Sequence, residues 1–190
     1  FQKEWMQHFD LEDVRGKELT KVLTIDPAIS QEKTADYTAM VVSGIDIFGN
    51  IYVLDMVRAR LTPSELINEI FRLCETWHPT SVGIETVAYQ KAIAYALRDE
   101  MTKRRRYLPI VELKPQERAK DLRIRGLQAQ YAGHKVFHLK GHKNTLYLEA
   151  ELASFPRGIH DDLIDALSYQ LDLLYPPKRK TSRYQGEYLY

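Results

Sequence analysis

One cysteine in 190 residues, Cys74, rules out an internal disulfide and fits a chain that works in a reducing compartment. It falls in an apolar helical pattern and is read as core. Long apolar runs are also missing, so no membrane span is expected, and the polar opening from Phe1 to Asp10 lacks a signal-peptide pattern. The opening Phe1, with no initiator Met, is expected of a fragment or a processed chain. Glycine is scarce: none of the nine lies between Gly16 and Gly44, and no Gly-x-x-x-x-Gly-Lys-Ser/Thr loop occurs. That excludes a Walker-type phosphate cradle and leaves an actin-like phosphotransferase or ATPase without the glycine-rich turns it needs. Net charge is nearly absent at +1, which excludes binding driven by global charge alone.

What is present is local. A chain this long, 44% hydrophobic, can bury one core and is expected to form a single domain. Between Arg98 and Arg125 ten basic residues face five acids, and the tail carries Lys178, Arg179, Lys180 and Arg183 against Glu187. Near the end, His160-Asp161-Asp162-Leu163-Ile164-Asp165-Ala166 places three carboxylates within five residues, just before an apolar repeat at Leu163, Ile164, Leu167, Leu171 and Leu174. That repeat has the spacing of one helix face, so the acids sit on its first turns. Asp161 with Asp165, or Asp162 with Asp165, would share a side about 5–6 Å apart, where like charges repel unless a cation intervenes. Asp161 or Asp162 alone could simply cap the helix. Asp165 lies past the capping positions and borders the buried stripe, so its charge calls for a partner.

Residues 1–18 read as a linker or docking segment, 19–175 as the folded domain and 176–190 as a basic tail. Val22 to Asp26 is a β-rich run halted by Pro27, and alternation puts Val22, Thr24 and Asp26 on one face. Two more strands follow, Tyr37–Ile47 and Ile51–Val57, joined by a tight turn at Gly49-Asn50, giving an antiparallel meander. Thr62-Pro63-Ser64-Glu65 opens a helix buried through Leu66, Ile67, Ile70, Phe71, Leu73 and Cys74. The strand Ser81–Glu85 ends on an acid that shares a face with Ser81 and Gly83. A helix from Tyr89, a strand from Tyr107 to Leu113, a helix from Arg118 to Tyr131 burying Leu122, Leu127 and Tyr131, a strand at Lys135–Leu139 and a helix near Leu146–Leu152 precede the acidic one. This order predicts an α/β fold: a mixed sheet with an antiparallel edge portion, flanked by helices.

Thr24-Ile25-Asp26-Pro27-Ala28, Ala35-Asp36-Tyr37-Thr38-Ala39, Gly83-Ile84-Glu85 and His160-Asp161-Asp162 with Asp165-Ala166 form an ordered set. Over residues 20–175 it resembles the nuclease domain of the large terminase subunit of tailed bacteriophages, in the ribonuclease H-like and resolvase-like superfamily. The resemblance implies a ribonuclease H-like fold in which Asp26, Glu85 and the Asp161, Asp162 and Asp165 group meet in one catalytic, metal-binding site. It implies two divalent cations, Mg²⁺ or Mn²⁺, with Asp26 bridging both, Glu85 completing one and Asp161 the other. Related resolvases favour Asp162 with Asp165 on this helix, whereas one-face spacing favours Asp161 with Asp165. By the same resemblance the partners are double-stranded DNA, an upstream ATPase domain, the small terminase subunit and the portal. The place of work would be the cytoplasm of the infected bacterial host, and the isolated domain is expected to be a monomer.

The chemistry stands on its own terms. Phosphodiester hydrolysis needs a nucleophilic water and charge stabilisation on attacking and leaving oxygens, which two divalent ions about 3.5–4 Å apart supply. An all-carboxylate cluster suits hard ions that keep open positions for water and phosphate. Arg104, Arg105, Arg106, Lys114, Arg118, Lys120 and Arg123 are expected to hold DNA phosphates beside the metals, with Lys120 or Arg123 able to approach them. His134, His138 and His142 recur at helical zinc spacing, but Gly133, Gly141 and the β-rich Val136-Phe137 argue against a helix there. The competing reading, besides the phosphotransferase, is a non-catalytic module docking DNA or a capsid partner.

Overall fold

The computed structural model describes residues 1–28, 37–85, 90–114 and 117–174. Seven strands form one mixed sheet: β1 (Gln7–Phe9), β2 (Thr20–Asp26), β3 (Thr38–Ile45), β4 (Ile51–Ala59), β5 (Ser81–Glu85), β6 (Ile110–Leu113) and β7 (Val136–Leu139). Their spatial order is β1-β7-β4-β3-β2-β5-β6. The β2-β3-β4 meander is antiparallel, as its turn chemistry dictates, and the other pairings are parallel. At the β3–β4 turn the Asp46 carboxylate accepts from the Phe48 and Asn50 amides, and Gly49 takes a positive φ of 76°.

Two expectations change here. The meander was expected at an edge but lies inside the sheet, because β7 pairs parallel with the outer side of β4. Residues 1–18, expected as a linker or docking segment, carry structure: Gln7–Phe9 extends the sheet beyond β7, and Phe9 is buried. Three residues are too few to show a period-two pattern, so the strand had no legible signal.

Helices α1 (Pro63–Trp77) and α2 (Gln90–Lys103) cover one face; α3 (Glu117–Ala132), α4 (Thr145–Ser154), α5 (Asp162–Ser168) and α6 (Gln170–Leu174) cover the other. Thr62 and Glu65 cap α1 reciprocally, and its buried residues are the six the sequence pattern names. In α3 the buried stripe is Arg123, Ile124, Leu127 and Tyr131, whereas Leu122 is 70% exposed. Leu122 stands about 140° round the helix from Leu127, while Arg123 lies within about 40° of it.

One irregularity positions a charge. The β3–β4 register shifts between Val42 and Ser43, which face Asp55 and Val53, so Leu54 is an extra residue. Ile51 and Val53 before this bulge, and Met56 after it, all join the core under α3–α5. Arg58, two residues beyond Met56, therefore turns to the same side.

Candidate active site

The strands β2 and β5 run parallel and adjacent, and both end on an acid, Asp26 and Glu85. Leu23 and Ile25 point toward α1 and α2, so Thr24 and Asp26 point to the opposite face. There the Thr24 hydroxyl donates to the Ala166 carbonyl at 2.6 Å, and the Gln170 side-chain amide donates to the Val41 carbonyl at 2.9 Å. These bonds hold α5 and α6 against the sheet ends. A side chain at Gly83 would place its Cβ 2.7 Å from Leu113 and 3.1 Å from Leu173, so the absent side chain lets α6 approach Glu85's strand.

The sequence-distant carboxylates converge at this corner. Asp26 and Glu85 approach as a side-chain hydrogen-bonding pair, a contact that favours the protonated form of Asp26. Burial, then the Glu85 charge and that bond, then Asp165 and Asp162, push the Asp26 carboxyl well above the usual carboxylate range. Asp165 is buried, and burial lifts it to about 6 against the opposing pull of Lys120. The Lys120 ammonium on α3 donates to Asp165 at 2.5 Å and to Asp161 at 3.0 Å. Burial alone would lower the Lys120 pKa, but the Asp165 and Asp161 contacts raise it above the ordinary lysine value. The second Asp165 oxygen, Oδ1, is buried with no hydrogen-bond partner among the described residues.

The start of α5 is not capped by its own acids. Asp161 occupies the cap position yet makes no capping hydrogen bond. Instead Glu151 on α4 accepts from the Leu163 and Ile164 amides at 2.9 and 3.2 Å. Burial raises the Glu151 carboxyl to about 7, with Asp162 adding to the rise and Arg58 opposing it. Arg58 bridges Glu151 at 3.2 Å and Asp162 at 3.5 Å, its guanidinium 3.8 Å from the Tyr37 ring centroid. His160 approaches Asp162 at 3.8 Å and packs edge-on against Tyr37. The acidic group thus divides: Asp165 faces Asp26, Asp161 is tied to Lys120, and Asp162 is tied to Arg58 while still acting on Asp26.

Tyr169, between α5 and α6, is the residue sequence reasoning missed most clearly. It is 2% exposed, and its hydroxyl hydrogen-bonds the Glu85 carboxylate. Burial first, then the Glu85 charge, raises its pKa. The Arg123 guanidinium stacks 3.7 Å from its ring centroid, and Arg123 Nε donates to the Ser168 hydroxyl at 3.4 Å. A lone tyrosine in a leucine-rich helix gives no sequence signal of such a role. Arg58 and Glu151 were equally silent, because pairing across β4, α4 and α5 has no local spacing.

The basic set does not stay together. Lys120 enters the carboxylate group, Arg123 is buried behind Tyr169, and exposed Lys114 follows the end of β6, whose Leu113 lies opposite Glu85. Arg104, Arg105 and Arg106, expected beside the metals, lie before the start of β6, at the sheet end opposite Glu85 and about 13 Å away along β5. The reason is topological, since α2 runs back down the sheet before β6 begins. Arg104 bonds Glu100 and Asn68 and covers the Phe71 ring, and Arg106 bonds Glu75. The side chain of Arg118, Asp36 and the basic tail lie outside the described residues.

A family description, the terminase RNaseH-like domain, matches residues 23–174. No curated protein matches in sequence. Among solved structures, the large terminase nuclease from thermophilic phage G20c with bound magnesium is 17% identical, with 80% of this chain and 79% of that chain covered and a TM-score of 0.58. The yeast mitochondrial Holliday junction resolvase Ydc2 is 15% identical, with 77% and 75% covered and a TM-score of 0.48. The HK97 bacteriophage large terminase is 14% identical over 64% of this chain and 30% of its own length, with a TM-score of 0.45. At such identities the likeness concerns the fold, which is the ribonuclease H-like mixed sheet expected from the motifs. The resemblance those motifs carry is thereby confirmed at the level of family: this chain belongs to the terminase RNaseH-like domains.

Proposed function

We propose that this chain is a metal-dependent endodeoxyribonuclease domain of a viral DNA-packaging terminase, hydrolysing phosphodiester bonds of double-stranded, concatemeric DNA with little sequence preference. The observation that carries the reading is the convergence of Asp26, Glu85 and Asp165 from three distant segments, with a lysine ammonium drawn in between Asp161 and Asp165. A buried Asp165 oxygen with no hydrogen-bond partner among the described residues, an Asp26 carboxyl held above its usual range by burial and Glu85, and a donor set of hard oxygens fit Mg²⁺ or Mn²⁺. The phage nuclease of the same fold is described with bound magnesium, which favours the same class of ion here.

Asp26, Glu85 and Asp165 would hold the ions, with Asp161 and Asp162 on either flank. Two bound divalent cations would supply a nucleophilic water and neutralise the attacking and leaving oxygens. The protein's own part is positioning. Tyr169 orients Glu85, Lys120 neutralises Asp161 and Asp165 when no ion is present, and Arg58 compensates Asp162 and Glu151. Of the expected DNA-binding set, Lys120 touches these carboxylates and Lys114 follows the strand end that lies opposite Glu85. The upstream ATPase, small subunit, portal and host cytoplasm belong to the same proposal.

The test is plasmid cleavage with Mn²⁺ or Mg²⁺. Asp26→Ala and Glu85→Ala are each expected to abolish cutting while circular dichroism stays unchanged; undiminished nicking by either refutes the site. Asp161→Asn and Asp162→Asn, compared for metal affinity, decide which flank contributes a ligand. A non-catalytic docking module would instead show no cutting at any enzyme concentration and DNA affinity indifferent to Mn²⁺.

A further inference from the structure

We propose that His8, His138 and Glu149 form a second, separate metal site, selective for Zn²⁺-like ions, that staples the N-terminal strand to the domain. The three residues come from β1, β7 and α4. The Glu149 Oε1 atom lies 2.7 Å from His8 Nε2 and 2.9 Å from His138 Nδ1, and one donor atom from each residue lies within 4.8 Å of the others. Ligands around a tetrahedral ion with bonds of about 2.0–2.1 Å stand about 3.3 Å apart, so admitting an ion lengthens the two contacts to Glu149 by about half an ångström and sets the imidazole nitrogens at the same spacing.

The surroundings are those of a ligand set held in place. His138 is fully buried, and its other nitrogen, Nε2, lies 2.7 Å from the hydroxyl of Tyr131, which is also fully buried. That bond fixes the ring and leaves Nδ1 directed at Glu149, the arrangement in which an outer partner orients a metal-binding imidazole. The His8 side chain is 41% exposed, which leaves a way in for the ion and for a water as fourth ligand. Two imidazoles and one carboxylate suit Zn²⁺ or Co²⁺, whereas Mg²⁺ prefers oxygen alone.

The site is distinct from the carboxylate corner. In the sheet, β4 and β3 separate β7 from β2, a span of about 14 Å at 4.8 Å per strand. It is also not the helical histidine set the sequence suggested. His134 is paired with Gln7 and His142 with Asp55, and the second imidazole comes from His8 in the segment read as a linker. Because β1 is held by only three residue pairs with β7, an ion here would tie down a weakly attached strand.

The test titrates Co²⁺ and then Zn²⁺ into the metal-stripped full chain. Ligand-field absorption of four-coordinate Co²⁺ is expected to saturate at one equivalent and to be displaced by Zn²⁺. It should persist in Asp26→Asn, weaken at least tenfold in His8→Ala and disappear in Glu149→Gln. His8 is exposed, so its loss does not endanger folding, and Zn²⁺ should protect the peptide bonds around Gln7–Phe9 from proteolysis in the parent and in Asp26→Asn but not in His8→Ala. No absorption band, or a band and protection unchanged in His8→Ala, overturns the site.

Discussion

At the scale of single residues, the carboxylate corner is assembled at the expense of the ion-free protein. Asp165 titrates near 6 because burial outweighs Lys120, so its contribution to stability is present below its unfolded pKa and is lost as the pH rises through about 6. Asp165→Asn removes that loss. The variant is expected to be more stable than the ion-free parent by about 3 kcal/mol at pH 8, with the gain vanishing near pH 4, and to cleave no DNA. Calorimetry at the two pH values, without divalent ions, checks it. Tyr169 offers a finer measurement, since its hydroxyl touches Glu85 while its ring stacks under Arg123. Tyr169→Phe keeps the stack and loses the bond to a charged group, worth about 1.5–3 kcal/mol. Its cleavage rate should fall roughly tenfold and its Mn²⁺ affinity with it. An unchanged rate would mean that Glu85 needs no help in orientation.

At the scale of elements, α5 shows why its acids are available for chemistry. A helix start has free amides that its own Asp161 or Asp162 would ordinarily bind. Here Glu151 from α4 takes two of them, and Arg58 from β4 balances the charges. Glu151→Ala would orphan those amides and leave a buried guanidinium with one partner fewer, a loss of about 3 kcal/mol visible in urea denaturation. How much of this was legible differs by element. Helix α1, the Asp26 and Glu85 strand ends and the acidic helix start were readable, because each depends on neighbours in sequence. The cap from Glu151, the bond from Tyr169 and strand β1 were not, because each depends on residues brought together only by the sheet. Leu122 misled for a related reason: a leucine attracts an apolar reading, but the phase set by Leu127 and Tyr131 gives its place to Arg123.

For the whole molecule, charge is sorted between the two ends of the sheet. Arg104 and Arg106 serve α1 and α2 at one end, with Arg105 between them, while Lys120 touches the carboxylates at the other and Lys114 follows the strand end opposite Glu85. Replacing the three arginines by alanine should therefore leave cleavage of bound DNA unchanged, whereas Lys120→Ala should reduce it; single-turnover assays separate chemistry from binding. Among the described residues no helix is long and apolar enough to cross a membrane. The bulge in β4 has the widest reach of all. Deleting Leu54 would set Val53 and Met56 two positions apart, the spacing at which a regular strand keeps both on one face, so Met56 and Arg58 would stay under α3–α5. Straightening the bulge without that deletion would do the reverse, turning Met56 toward α1 and Arg58 away from Asp162 and Glu151, some four residues of chain from the cause. The surplus residue and the kink cancel each other, so the site should survive losing both together but not the kink alone.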